Sequence, residues 1–588
     1  MRGTARAGAA AAAFALSFLP GPGAGAGGSP ADPPRWRLAP GAIAEYSFFP
    51  VTVDAKTGER TRGKEKPFGV FGHRVVGGRS HRPLQPDLRD LGAVLALTLP
   101  EEAAGGKETI LFNPLADCGP VEAAGTWTTA ARDDGRVALR VEADLRHRGP
   151  AKSDAFTRIL VDGRIEASAV FDPVAGVVAE ASWTIRARTV PDEGAVKDRK
   201  LAEVRETADI VLRRVRDAAD PKFQEEVDAA IARGTAWLLK QPRDGLFPEY
   251  GGYPGGNDGL AALALHACDG ERKAGDAALA RALSLEPTKT YQAAVTMLAI
   301  DMHRTPPGEE ALLRAGKIAK PTRNLDAAER AWMEKGAQFL LKTASGPGKW
   351  NYPSPQHGGR FLPPAPDLSN SQYAVLGLLA AHRCGVPVED GIWLGILRAF
   401  LQIQQRDGPP VPGWLPSPRK TREAAAGASM PTVAAVRARG FPYRSGEEPS
   451  GTMTCAGIAS IAIARDVLLQ AGGKPLPQDL AAQAERAIAD GFGWIHARYT
   501  VEQASREVSR PAAWLHYYLY ALERAGILAE VARVNEHDWY GDGALLLLLT
   551  QDPDGWWTEE PGTAPRKIAD TCFALLFLKR AVTPVATK

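Results

Sequence analysis

From Arg136 to Leu145 polar and apolar side chains alternate, the period-2 pattern of a strand with one face in a core and the other in water. Ile165 to Phe171, Val177 to Arg188 and Glu203 to Val215 continue it, and Asp172-Pro173-Val174-Ala175-Gly176 reads as the turn between two of these runs. Residues 36–217 are therefore predicted to form an antiparallel β domain, a sandwich or a half-barrel. At Asp220-Pro221 the period lengthens: Val227, Ile231, Gly234 and Leu238 mark one face of a helix that stops at Gln241-Pro242. From there the chain reads as six antiparallel helix pairs. The first helix of each pair is amphipathic, at roughly 224–241, 275–284, 326–343, 391–405, 480–498 and 538–551. The second is richer in Ala and Gly and apolar on all sides, beginning near Asn257, Thr290, Ser369, Gly451, Ala512 and Ile568. A helix without a polar face must be buried all round, so the second helices are expected as an inner ring and the first as an outer one. That is an (α/α)6 toroid over residues 222–582, and the chain as a whole is α+β and multidomain.

A turn with Gly and an aromatic joins the helices of a pair. Arg233-Gly234…Trp237-Leu238…Gln241…Gly245-Leu246-Phe247, Lys335-Gly336…Phe339-Leu340…Gly348-Lys349-Trp350 and Arg398-Ala399-Phe400-Leu401…Gln405…Gly413-Trp414 are three copies, and Gln551 to Trp557 belongs to a fourth. Gly permits the tight helix end and an indole can cover it, so Trp350, Trp414 and Trp556 are expected to be buried staples. These copies resemble the QW repeats of squalene–hopene cyclases and of protein prenyltransferase β-subunits. The passages from Trp514 to Gly526 and from Asp570 to Leu578 are similar to exported bacterial proteins with squalene-cyclase-like or prenyltransferase-like repeats. The resemblance implies the toroid fold. It does not carry cyclisation, because the chain has no D-x-D-D tetrad, Asp552-Pro553-Asp554-Gly555 coming nearest. Asp570-Thr571-Cys572 matches the start of the prenyltransferase zinc set, but no His follows it, so neither a metal nor any other cofactor is expected.

Composition changes this picture only at the N-terminus. The 588 residues carry 71 basic and 68 acidic side chains, a net charge of +3, which gives no reason to expect a nucleic-acid partner. Arg2 and Arg6 precede the apolar run Ala9 to Leu19, and small residues follow. That is a signal-peptide pattern over residues 1–26 with a linker at 27–35, and the expected location is periplasmic or extracellular. No later apolar window is expected to reach transmembrane length, so no stable membrane anchor is expected after processing. Of the five cysteines, Cys268, Cys384, Cys455 and Cys572 fall in or beside apolar helices, where Cys is commonly a small buried hydrophobe.

Candidate chemistry follows from topology. Every connection from a first helix to a second lies on one rim, so the N-termini of all six inner helices should face one mouth, offering free N–H groups and positive dipole ends. Asn257, Gln292, Asn370, Gln372, Tyr373, Thr454 and Tyr517 stand there as candidate ligand-binding residues, with Asp258, Asp570 and His516 as candidate acid-base groups. Asp, Asn, Ser and Thr at such positions are also ordinary helix caps. The connections 343–368 and 406–450 are long, and the second carries Arg419, Lys420, Arg422, Arg437, Arg439 and Arg444. The function expected first is binding of a ligand or protein partner in the central cavity. Alternatives are an enzyme acting on a glycan or isoprenoid with Asp as acid or base, and a structural cell-envelope component. Buried carboxylates at the mouth should have raised pKa values unless a helix N-terminus offsets the desolvation.

Overall fold

The computed structural model describes residues 35–38, 41–76, 80–81, 91–96, 98–99, 107–112, 121–147, 158–191, 201–249, 254–268, 272–309, 312, 322–352, 366–411, 436–470, 476–502, 514–535, 537–558 and 563–580. The expected signal segment and linker fall outside them, apart from residue 35. So do Trp414, Arg419, Lys420 and Arg422.

Nine strands form one antiparallel sheet: β1 (Ala42–Val53), β2 (Arg60–Arg62), β3 (Lys66–Phe71), β4 (Lys107–Phe112), β5 (Val121–Ala131), β6 (Val137–His147), β7 (Arg158–Asp172), β8 (Val177–Pro191) and β9 (Ala202–Asp217). The order is β2-β1-β9-β8-β7-β6-β5-β4, with β3 also paired to β1. These nine strands share one hydrogen-bonded sheet, because β4 to β9 run as an uninterrupted meander and β1 returns beside β9, while Val75–Val76 and Ser80–His81 pair separately. The alternation read from the sequence is present: Leu139, Val141, Ala143 and Leu145 are buried, and Arg140 reaches the opposite, charged face to meet Glu142 at 2.9 Å. The turn at Asp172 forms as read, its carboxylate accepting the Val174 and Ala175 N–H groups at 2.9 Å, with Gly176 at φ 67°.

Twelve described helices follow: α1 (Phe223–Leu238), α2 (Gly256–Ala267), α3 (Arg272–Leu283), α4 (Thr290–His303), α5 (Ala327–Thr343), α6 (Leu368–Arg383), α7 (Asp390–Ile403), α8 (Gly451–Gln470), α9 (Gln478–Ala497), α10 (Leu515–Leu528), α11 (Trp539–Thr550) and α12 (Ala564–Lys579). α1, α3, α5 and α7 bury one face, as does the first half of α9, whose residues 487–495 are all buried. In α1 the buried positions include Val227, Ile231, Gly234 and Leu238. The even helices are buried almost throughout, and every residue of α2 is enclosed. α2 packs on α4, α4 on α6, α6 on α8, α8 on α10, α10 on α12, and α12 returns to α2. Cys384, Cys455 and Cys572 are buried, and Cys268 is half-buried.

α11 is an odd helix whose residues from Trp539 to Leu547 are all buried. The β domain supplies the reason: β1 and β3 pack against α11, and a Cβ on Gly69 would stand 3.0 Å from Leu549 Cδ2. Buried Arg74 clamps the same interface through Glu502 at 2.7 Å. One sequence expectation is corrected here. α8 is long and apolar enough to cross a membrane, with a mean hydropathy of 1.5. It is nonetheless 89% buried within the protein and carries the buried pair Arg465–Asp466, so it serves as a core helix.

Candidate functional site

The turns between odd and even helices share a device that explains several of the polar residues. In four of them the aromatic after the turn donates its backbone N–H to a side chain on the following even helix. Phe247 gives to Asp258 at 3.4 Å, Trp350 to Ser371 at 3.0 Å, Phe441 to Thr454 at 3.1 Å and Trp557 to Thr571 at 3.1 Å. Such an N–H is left over where a chain leaves one helix and enters another, and it must be satisfied when buried. Asp258 also accepts from Arg281 at 2.9 Å. Asp258 and Thr454 are thus occupied in holding turns. The staples follow the same logic, with one correction: Trp350 and Trp557 are the buried indoles, their Nε1–H groups donating to Leu340 O and Leu547 O at 2.7 and 2.8 Å. Trp556 is only half-buried, beneath the Lys567 ammonium at 3.6 Å.

A cavity of about 540 Å³ opens where the even helices begin. Asn257 comes from α2, Tyr291 from α4, Asn370 and Tyr373 from α6, Thr452 and Met453 from α8, Tyr517 from α10 and Phe573 from α12. Glu249, Tyr352, Tyr443 and Trp514 add walls from the connections. Tyr291 meets Tyr373 edge-on at 4.8 Å, Tyr373 stacks on Tyr517 at 5.9 Å, and Tyr517 reaches Phe573 at 5.5 Å, so a continuous aromatic layer crosses four helices. Burial pushes the phenols of Tyr291 and Tyr373 well above their ordinary range and raises that of Tyr517, which keeps them as neutral hydrogen-bonding groups. Among these, Tyr517 is fixed by Gln372 Nε2 at 2.5 Å and Ser369 at 3.2 Å. Gln372 is itself held by buried Arg524 at 3.2 Å, whose guanidinium lies 4.0 Å over Tyr520.

Four of the ten candidate residues read from the sequence line this cavity: Asn257, Asn370, Tyr373 and Tyr517. Gln372 supports it from behind. Gln292 turns away, accepting the Thr288 N–H at 3.0 Å and donating to Glu286 O at 3.3 Å. The three acid-base candidates are outside the lining. Asp570 accepts from Arg566 at 2.8 Å and Thr558 at 3.0 Å, and His516 Nδ1 lies 3.7 Å from its other oxygen. Its pKa was expected to rise. Burial does push it up, but His516 and Arg566 outweigh that, and it lies below the usual carboxylate value. Cys572, in the tripeptide that resembled a zinc set, is fully buried with its thiol pushed well above the ordinary value by that burial. Arg437 and Arg439 of the long connection bond Asp407 at 2.5 Å and Asp490 at 3.0 Å.

The carboxyl that does face the cavity is Glu249, which sequence reading passed over. It follows the first Gly/aromatic turn and caps α2 from outside, accepting the Asn257 N–H at 3.0 and 3.2 Å. Burial, with a smaller contribution from Asp258, raises its pKa from 4.5 to about 7 against the help of that N–H. The only sequence signal was its place just upstream of an even helix. Because the folded pKa exceeds the unfolded one, the folded state holds the extra proton between pH 4.5 and 7, and stability falls as pH rises through that window. The full shift corresponds to about 3 kcal/mol, which water in the cavity mouth should reduce to roughly 1–2 kcal/mol. Glu249→Gln keeps an acceptor for Asn257 and is expected to match the parent at pH 5 but exceed it by about that amount at pH 8. Urea unfolding across this range checks it; an equal difference at every pH would refute the assignment.

Neither protein-family models nor curated proteins match the chain.

Proposed function

We propose that this is an exported (α/α)6-toroid protein that binds an amphipathic small molecule in the cavity at the mouth of its inner ring. One observation carries the reading: a single cavity collects side chains from all six even helices. The closed sequence of contacts from α2 round to α2 supports the toroid, and the signal-like N-terminus supports export. An aromatic layer offers flat apolar contact, while Asn257, Asn370 and Thr452 supply a few convergent polar groups, the usual make-up of a small-molecule site. A sugar face or an isoprenoid chain fits such walls.

A second reading is favoured by Glu249. A carboxyl that titrates near 7 in a cleft is suited to deliver or accept a proton, so an enzyme acting on a glycan or isoprenoid would use Glu249 in place of Asp258 or Asp570. The cavity itself is tested with Met453→Trp, which fills it from α8. Binding of oligosaccharide and isoprenoid panels, followed by Trp514 fluorescence, should weaken by more than about tenfold, equivalent to ~1.4 kcal/mol. Full affinity in the filled variant would move the site elsewhere. Turnover of a bound panel member that Glu249→Gln abolishes would select the enzyme over the binder.

A further inference from the structure

Away from the cavity, three side chains converge where α2 and α4 end. His266 lies in the last turn of α2, His303 closes α4, and Asp276 projects from α3 between them. At 1.5 Å per residue His266 is about 13 Å along α2 from cavity-lining Asn257, so the two places are separate. We propose that His266, Asp276 and His303 form a binding site for a zinc-like divalent cation, which clasps the first helix pair to the second.

Spacing is the first argument. One ligand atom from each residue lies within 4.8 Å of the others, and Asp276 Oδ1 stands 3.3 Å from His303 Nε2 and 3.7 Å from His266 Nε2. Ligands placed about 2.0–2.2 Å from a tetrahedral cation stand roughly 3.3–3.6 Å from one another. Two imidazoles and a carboxylate are also a donor set that zinc accepts, leaving one position for water. Asp276 is exposed, so that position opens outward.

Orientation is the second. His303 Nδ1 bonds Glu329 Oε1 at 2.8 Å, and Glu329 is fixed in turn by Arg304 Nε at 2.6 Å and the Asp326 N–H at 3.1 Å. A carboxylate behind an imidazole, itself held, is the outer support that fixes which ring nitrogen faces a metal. Glu329 belongs to the capping box of α5, so the support is built into a helix start. The His266 ring stacks on His303 at 4.7 Å between centroids. Its close approach to α3 depends on Gly275, where a Cβ would stand 2.8 Å from Cε1. The residue beside the carboxylate is therefore one that makes room for the first imidazole.

The test uses the full-length protein, stripped with chelator and titrated with zinc chloride by calorimetry and with cobalt(II) by visible absorption. One zinc per chain and a tetrahedral cobalt spectrum are expected. Asp276→Asn and His303→Gln should each weaken zinc binding by at least about tenfold, and Glu329→Gln by roughly 10–100-fold. Asp276 is exposed, so its variant should keep the parent circular dichroism and thermal midpoint without metal. Absence of saturable zinc binding, or binding unchanged in Asp276→Asn and His303→Gln, would overturn the site and leave His303 as a side chain bridging Glu329 and Asp276.

Discussion

Arg323→Met should cost about 3–5 kcal/mol of folding free energy, the penalty for leaving buried carboxylates without their counter-charge. The Arg323 side chain is fully enclosed. Its Nε donates to Asp301 Oδ1 at 2.5 Å and Asp301 O at 3.1 Å, and both terminal nitrogens grip Glu309, one of them at 2.8 Å. Asp301 stands in the last turn of α4 and also receives Arg383, the last residue of α6, at 3.2 Å. The Arg323 backbone N–H bonds Arg383 O at 3.2 Å. Two neighbouring even helices are thus joined at their C-terminal ends by charges as well as by apolar packing. Without the guanidinium, Asp301 keeps one partner and Glu309 loses both of its bonds to Arg323, deep in low dielectric. The shift of the urea midpoint at constant slope measures the loss, and a cost below about 1 kcal/mol would show that water reaches the carboxylates. The quadruple replacement Arg323→Met, Asp301→Leu, Glu309→Met and Arg383→Met, which also takes out the guanidinium that Asp301 holds on α6, separates the penalty for a stranded charge from the net worth of the network. It should recover most of the stability, because apolar groups of similar volume often replace a buried ion network at little cost.

The helix pairs were legible because burial dictates composition directly. An even helix enclosed on every side cannot carry a regular polar face, and α4, α6, α8 and α12 begin at or within a few residues of the positions read from the apolar runs. α11 shows the limit of that rule: its uniform apolarity is shared between the helical core and the β domain, and nothing in one helix says which surface covers it. The roles of polar residues were less legible for the same physical reason. Asp258 and Thr454 occupy positions that suit a ligand as well as a cap, and only the N–H groups of Phe247 and Phe441 decide between them. Glu249 was hidden because its environment comes from the turn and the neighbouring chain, not from its own periodicity. His266, Asp276 and His303 lie on three helices, at spacings no local motif contains.

Adjacent tryptophans gave the remaining ambiguity, and resolving it yields the second large effect. Trp556 and Trp557 are equal candidates by composition, but the turn at Gly555, with φ 103°, delivers the second indole inward. Trp557 then does more than close its own repeat. A Cβ on Gly234 of α1 would stand 2.6 Å from Trp557 Cζ3, so the last turn packs on the first helix where only Gly leaves room. Gln551 Nε2 donates to Ala230 O at 2.9 Å, and Arg233 Nε donates to Gln551 Oε1 at 3.0 Å across the same seam. Trp557→Ala should therefore cost roughly 3–5 kcal/mol, the range for deleting a large buried aromatic, and leave the Leu547 carbonyl with the Gln551 N–H at 3.1 Å but without the indole donor. Trp556→Ala should cost under about 1 kcal/mol, as a half-exposed ring over Lys567 contributes little. Because α1 and α12 meet at this seam, the larger loss should be accompanied by faster amide exchange in α1 and α12 than in α6 and α8. Equal costs for the two tryptophans would refute the assignment of Trp557 as the staple, and a uniform rise in exchange would mean that the seam has no weakness of its own.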